Sequence, residues 1–200
     1  MSVTFYQRFI EPTTTNLYYI KTTKGGYNKC IQIGSDGSVL PNCTGYAWGR
    51  FMECQPNVHN CNLSRANAEL WYPNTSDGYQ RGQTPKLGAV ICWHSSKSGG
   101  HVAIVEYIYP NGDIQTSNSA YNGRRFYRKK LTRSSNYYMG SAYTFQGFIY
   151  NPTEFVSPSP TPPEPPTPTP TDSTKSKFKW VLYARKLRNN RNWHNIKYIL

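Results

Sequence analysis

The spacing of hydrophobic and polar positions changes along this 200-residue chain, and each change predicts an element. Residues 1–29 are polar and rich in Thr and Tyr, with a Lys-Gly-Gly turn at 24–26. They predict short extended pieces and carry no candidate chemistry. Cys30–Ile33 alternates like the end of a strand, and the GSDGS run at 34–38 is a turn. After Cys43 the spacing lengthens. Tyr46, Ala47 and Phe51 recur at three- and four-residue steps, which predicts a helix with one buried face, although Gly45 and Gly49 weaken it. Asn42 is placed to cap that helix. Ser64 predicts the cap of a second helix, SRANAELWY, that Pro73 ends. From Leu87 onward the pattern is that of strands, at Ala89–Trp93, His101–Tyr109, Ile114–Ser119, Phe126–Leu131 and Tyr143–Tyr150. Pro110-Asn111-Gly112-Asp113 is a strong hairpin signal between two of them. Early helices followed by a run of strands predict an α+β domain, with N-terminal helices packed on an antiparallel sheet.

The pattern ends at 157. Residues 157–172, SPSPTPPEPPTPTPTD, predict an extended polyproline spacer reaching about 50 Å. The tail at 173–200 places Trp180, Tyr183, Ala184 and Leu187 on one helical face, and is too short for a core of its own. The expected organisation is a domain at 1–156, a linker at 157–172 and a basic aromatic tail at 173–200. Charge sharpens this division. The net charge is +13, and residues 173–200 hold eight Lys or Arg and no acid. Such a tail expects an anionic partner, whether nucleic acid, lipid or a phosphate-rich wall polymer. We favour wall polymer or lipid as the target, with no specific nucleic acid. No run is long and apolar enough for a membrane span, and MSVTFYQRFIEP lacks the regions of a signal peptide. The expected site of synthesis is therefore a cytoplasm, with no export by the standard route. Five cysteines, an odd number, argue against a disulfide framework.

Cys43 stands where chemistry is easiest. In the first turn of a capped helix, unpaired N–H groups and the helix dipole favour a thiolate. A thiolate nucleophile needs a base, and the base needs an orienting group. His194 lies in the tail, His59 in a cysteine-rich loop, and His94 next to Trp93. His101 follows Ser-Gly-Gly and opens a strong strand, where it can face a cleft. Side chains alternate along a strand, so Glu106 points away from the His101 face. With a two-residue turn at Asn111-Gly112, Asn118 and Asn122 both share that face, and a bulge or longer turn would bring Asn118 closer. Strand geometry alone leaves both open. Cys54, His59 and Cys61 share a loop but match no standard zinc spacing, so no metal is expected.

Cys, then His on a strand, then Asn or an acid on the next strand is the order of papain-like hydrolases. PNCTGYAWGR, KLGAVICWHSSKSGGHVAIVEYI and DIQTSNSAYNG together resemble the CHAP family of cysteine, histidine-dependent amidohydrolases/peptidases, over about 28–150. The likeness is to the CHAP domains of phage lysins and tail-associated wall hydrolases. It implies a papain-like CHAP fold, with the nucleophile on Cys43, the base on His101 and the orienting residue on Asn118. It implies bacterial peptidoglycan as substrate, with cleavage of the muramoyl-L-alanine amide or of a stem or cross-bridge peptide bond. It also implies delivery through a holin or on a virion. Some members bind calcium through aspartates before the nucleophile; only Asp36 stands there, so no such site is expected. Trp93 and Tyr121 are candidates to line a substrate groove, and Asn42 is a candidate for a second oxyanion contact. Rival readings are a non-catalytic wall-binding or virion protein and a basic nucleic-acid-binding protein.

Overall fold

A computed structural model describes residues 2–13, 16, 18, 20–22, 30–33, 39–56, 61–119 and 126–158. Residues 1–159 form one compact unit. All of the linker beyond its first two residues, and the whole basic tail, lie outside the described residues. No described helix is long and apolar enough to cross a membrane.

In chain order, the strands before the helix are β1 (Val3–Thr4), β2 (Ile20–Thr22), β3 (Cys30–Ile33) and β4 (Val39–Pro41). Then come α1 (Cys43–Glu53), β5 (Arg81–Gly82), β6 (Val90–Ser95) and β7 (His101–Ile108). The chain continues through β8 (Ile114–Asn118), β9 (Tyr127–Leu131), β10 (Tyr143–Ile149) and β11 (Phe155–Val156). Six of them form one antiparallel sheet in the order β5-β10-β6-β7-β8-β9. β2, β3 and β4 make a separate three-stranded sheet, and β1 pairs in parallel with β11. The architecture is α+β, as the pattern predicts.

Alternation explains how β6 and β7 bury both faces of the sheet. Val90, Cys92, Val102 and Ile104 pack with Tyr46, Ala47, Phe51 and Trp71 on the α1 side. Ile91, Trp93, Ala103 and Val105 pack with Tyr137 and Phe148 on the other. These strands read as near-continuous apolar runs for that reason.

The second predicted helix does not form. Ser64–Asn67 is irregular, and only one 3-10 turn follows, at Ala68–Leu70. Side-chain bonds and one long-range backbone bond stand in place of a helical ladder. The Ser64 hydroxyl accepts from the Ala66 N–H, and the Gly99 carbonyl accepts from the Glu69 N–H. The Trp71 indole N–H donates to the Ala66 carbonyl at 3.1 Å. The loop before β7 fits closely here. Gly100 has φ +81°, and a Cβ on it would lie 2.5 Å from the Glu69 nitrogen. Glycine is therefore required one residue before His101.

A buried ion pair fixes α1 against β7. Arg50 donates from Nε to Glu106 Oε1 and from Nη2 to Glu106 Oε2, each at 2.9 Å. Glu106 is fully buried. Its carboxylate also accepts from the Ser117 hydroxyl at 2.6 Å and from the Arg8 N–H at 2.9 Å. Arg8 pairs in turn with Glu53, joining the N-terminal segment to the end of the helix. Buried charges need this degree of pairing.

Candidate active site

The first residue of α1 reaches the backbone at the start of β7. Asn42 caps α1, its Oδ1 accepting from the Gly45 N–H at 2.7 Å and from the Thr44 hydroxyl at 3.0 Å. That cap holds Cys43 in the first helical turn. The Cys43 thiol takes N–H contacts from Val102, Thr44 and its own backbone. Val102 directly follows His101, so the sulfur sits beside the strand position that carries the imidazole.

His101 is nearly buried, between the Trp93 ring at 5.7 Å and the edge of Tyr143 at 6.2 Å. Its Nε2 lies 3.1 Å from Asn118 Oδ1. The register explains why Asn118 is in reach. Beyond the hairpin, Ile108 pairs with Ile114 and Tyr107 with Gln115, and then a bulge at Glu106 shifts the pairing to Val105 with Thr116. Continuing that register sets Asn118 opposite Ala103, one same-face step from His101. Asn122 lies outside the described residues. The Asn118 amide nitrogen donates to Thr116 Oγ1 at 2.8 Å, and Thr116 Oγ1 donates to the Lys129 carbonyl at 2.9 Å.

Electrostatics set the resting state of the pair. Burial lowers the His101 pKa to about 4, the nearby Lys129 charge pushes the same way, and the Asn118 bond opposes them. Burial raises the Cys43 thiol above its ordinary value, and the three N–H contacts oppose that rise. The sequence predicts a lowered thiol pKa at a helix start; desolvation outweighs the helix-start N–H groups here. At neutral pH the site therefore holds a neutral imidazole and a neutral thiol.

The remaining predicted site residues divide. Trp93 is fully buried, with its indole N–H donating to the Tyr137 carbonyl at 3.0 Å. It is core behind His101 and not a groove wall, because it packs with Ala103, Tyr137 and Phe148 on the face of the sheet away from α1. Asn42 has its Oδ1 committed to the cap, which leaves only its amide nitrogen for any substrate. Tyr121, Asp36 and His59 lie outside the described residues. His94 is half-exposed and faces Glu69 at 3.8 Å. Cys61 and Cys92 are buried thiols, and burial pushes Cys61 up to about 12. Sequence reasoning missed Thr116, which has no signal of its own because threonine is ordinary in a strand.

The CHAP domain model matches residues 33–120, a span that holds Cys43, His101 and Asn118. This chain carries a CHAP domain. Over 100 residues it is 31% identical to a Staphylococcus aureus (strain NCTC 8325 / PS 47) protein named "Probable autolysin LDP", covering 48% of this chain and 34% of that protein. The crystal structure of an N-acetylmuramoyl-L-alanine amidase from Staphylococcus aureus aligns at 21% identity and a TM-score of 0.41, covering 60% of this chain and 34% of that one. A likeness that distant adds nothing to the family assignment. The CHAP-domain chain spans about a third of the length of both proteins.

Proposed function

We propose that this CHAP-domain protein hydrolyses an amide bond of bacterial peptidoglycan, with Cys43 as nucleophile. The observation that carries this reading is the conjunction at one site of a helix-start thiol, a buried neutral histidine on the adjoining strand and an asparagine bonded to that histidine. His101 Nδ1 accepts the thiol proton as sulfur attacks the carbonyl. The N–H groups of Cys43 and Thr44 favour the developing oxyanion. His101 then protonates the leaving amine, and water attacks the thioester with His101 as base. The kinship to a named autolysin supports a wall substrate. The bond is the muramoyl-L-alanine amide or a peptide bond of the stem or cross-bridge. The basic tail supplies attraction to anionic wall polymer or lipid, and a phage lysin released through a holin or carried on a virion is the setting this design suits.

The test is digestion of purified peptidoglycan, with products read by mass spectrometry. New L-alanine N-termini make the protein an amidase, and new stem or cross-bridge termini make it an endopeptidase. Intact peptidoglycan from several wall types, with folded protein, overturns the hydrolase reading in favour of a non-catalytic wall-binding role.

A further inference from the structure

The Asn118 amide can in principle face His101 either way, and the choice decides which ring nitrogen is basic. With Oδ1 toward the ring, Nε2 must carry the proton and Nδ1 is left as the acceptor. With the amide nitrogen toward the ring, Nε2 must accept, the proton moves to Nδ1, and a thiol proton has nowhere to go. One group in this chain of bonds has no such freedom. The Lys129 carbonyl only accepts. Thr116 Oγ1 lies 2.9 Å from it, so the single hydroxyl proton is used there. The hydroxyl then has only lone pairs for Asn118, whose amide nitrogen lies at 2.8 Å. That turns Oδ1 to His101 Nε2, at 3.1 Å. Thr116 and Asn118 are both fully buried, so water does not offer the amide a substitute partner. The pairing of β8 with β9 sets Thr116 directly against Lys129, so the anchor is a backbone atom of the sheet.

We propose that Thr116 is a positioning residue whose hydroxyl, anchored on the Lys129 carbonyl, orients the Asn118 amide and thereby holds His101 as its Nε2–H tautomer. It touches no substrate. Its catalytic consequence rests on the Cys43–His101 reading above, while its effect on the tautomer does not.

The experiment is nitrogen-15 NMR of the histidine rings at neutral pH in wild type, Thr116→Val and Thr116→Ser, with His101 assigned by its loss in His101→Asn. Wild type should show one tautomer, protonated at Nε2. T116V should show a mixture containing the Nδ1–H form, and kcat on peptidoglycan should fall about 10- to 100-fold with KM nearly unchanged, as expected for a misplaced general base. T116S keeps the hydroxyl and should restore both. A wild-type ring protonated at Nδ1 overturns the proposal, whatever the variants do. So does a T116V protein with the wild-type tautomer and rate. Should T116V not fold, the smaller Thr116→Ala carries the same expectation. A wild type that cleaves no wall but shows the tautomer dependence removes the proposed function and leaves the positioning role standing.

Discussion

His101 combines two demands that pull its pKa in one direction. In the proposed mechanism it must be dry enough to strengthen the bond to Asn118, and neutral so that it can take a proton from Cys43. Burial satisfies both and lowers its pKa from the ordinary 6.5 to about 4. Two outcomes follow. Protonated His101 cannot act as base, so the acid limb of kcat/KM should fall near pH 4; a limb near 6.5 would contradict this. Stability has the same sign. The unfolded chain takes up this proton near 6.5 and the folded one only near 4. The contribution is therefore complete above 6.5 and is lost as pH falls toward 4, a change on the order of 3 kcal/mol. Thermal melts of wild type and His101→Asn across pH 4–7 should converge toward the acid end. At this scale the sequence shows Cys43 and His101 clearly, since each opens an element beside a turn or cap. Strand spacing alone does not choose Asn118 over Asn122, because the register depends on a bulge at Glu106; only the family resemblance points to Asn118. The bulged residue bonds Arg50, which is 56 positions away.

Elements hold these residues in register through contacts far from the chemistry. Arg50 lies two turns down α1 from Cys43, and Glu106 lies five residues along β7 from His101. Their paired bonds lock the helix to the strand. Arg50→Ala leaves the Glu106 carboxylate buried without its cation, which should cost about 3–5 kcal/mol in urea denaturation. A double variant, Arg50→Met with Glu106→Gln, should recover part of that loss; equal stability of wild type and R50A would remove the locking role. The strands were readable at this scale because hairpin residues and alternation agree with the fold. The SRANAELWY segment was misleading because its helical spacing is local. The bonds that win there come from Gly99 and from the Trp71 indole. Trp93 misled for a related reason. Its nearness to the histidine loop suggests a groove wall, but its face of β6 is covered by Tyr137 and Phe148, while the next residue on the strand, His94, is half-exposed.

At the scale of the whole chain, a compact unit is followed in sequence by a basic tail that holds no acid. The compact unit ends at Ser159, and eight of the 23 basic residues lie in 173–200. A chain ending at Ser159 should cleave soluble peptidoglycan fragments at the full-length rate and lose retention on intact walls. That retention should weaken as salt rises, as screening requires. Full-length and truncated chains that sediment equally with walls at low salt would contradict the anchoring role. Composition made the linker and tail legible as separate segments, while the tail's partner has no motif to read.

The most direct test of the central claim is the rate of amine release from purified peptidoglycan by wild type and Cys43→Ala, matched for folded protein by circular dichroism. With Cys43 as nucleophile, wild type releases amines and C43A falls by at least about a thousandfold. Release by C43A at a rate near wild type would show that the bond is broken by some other group.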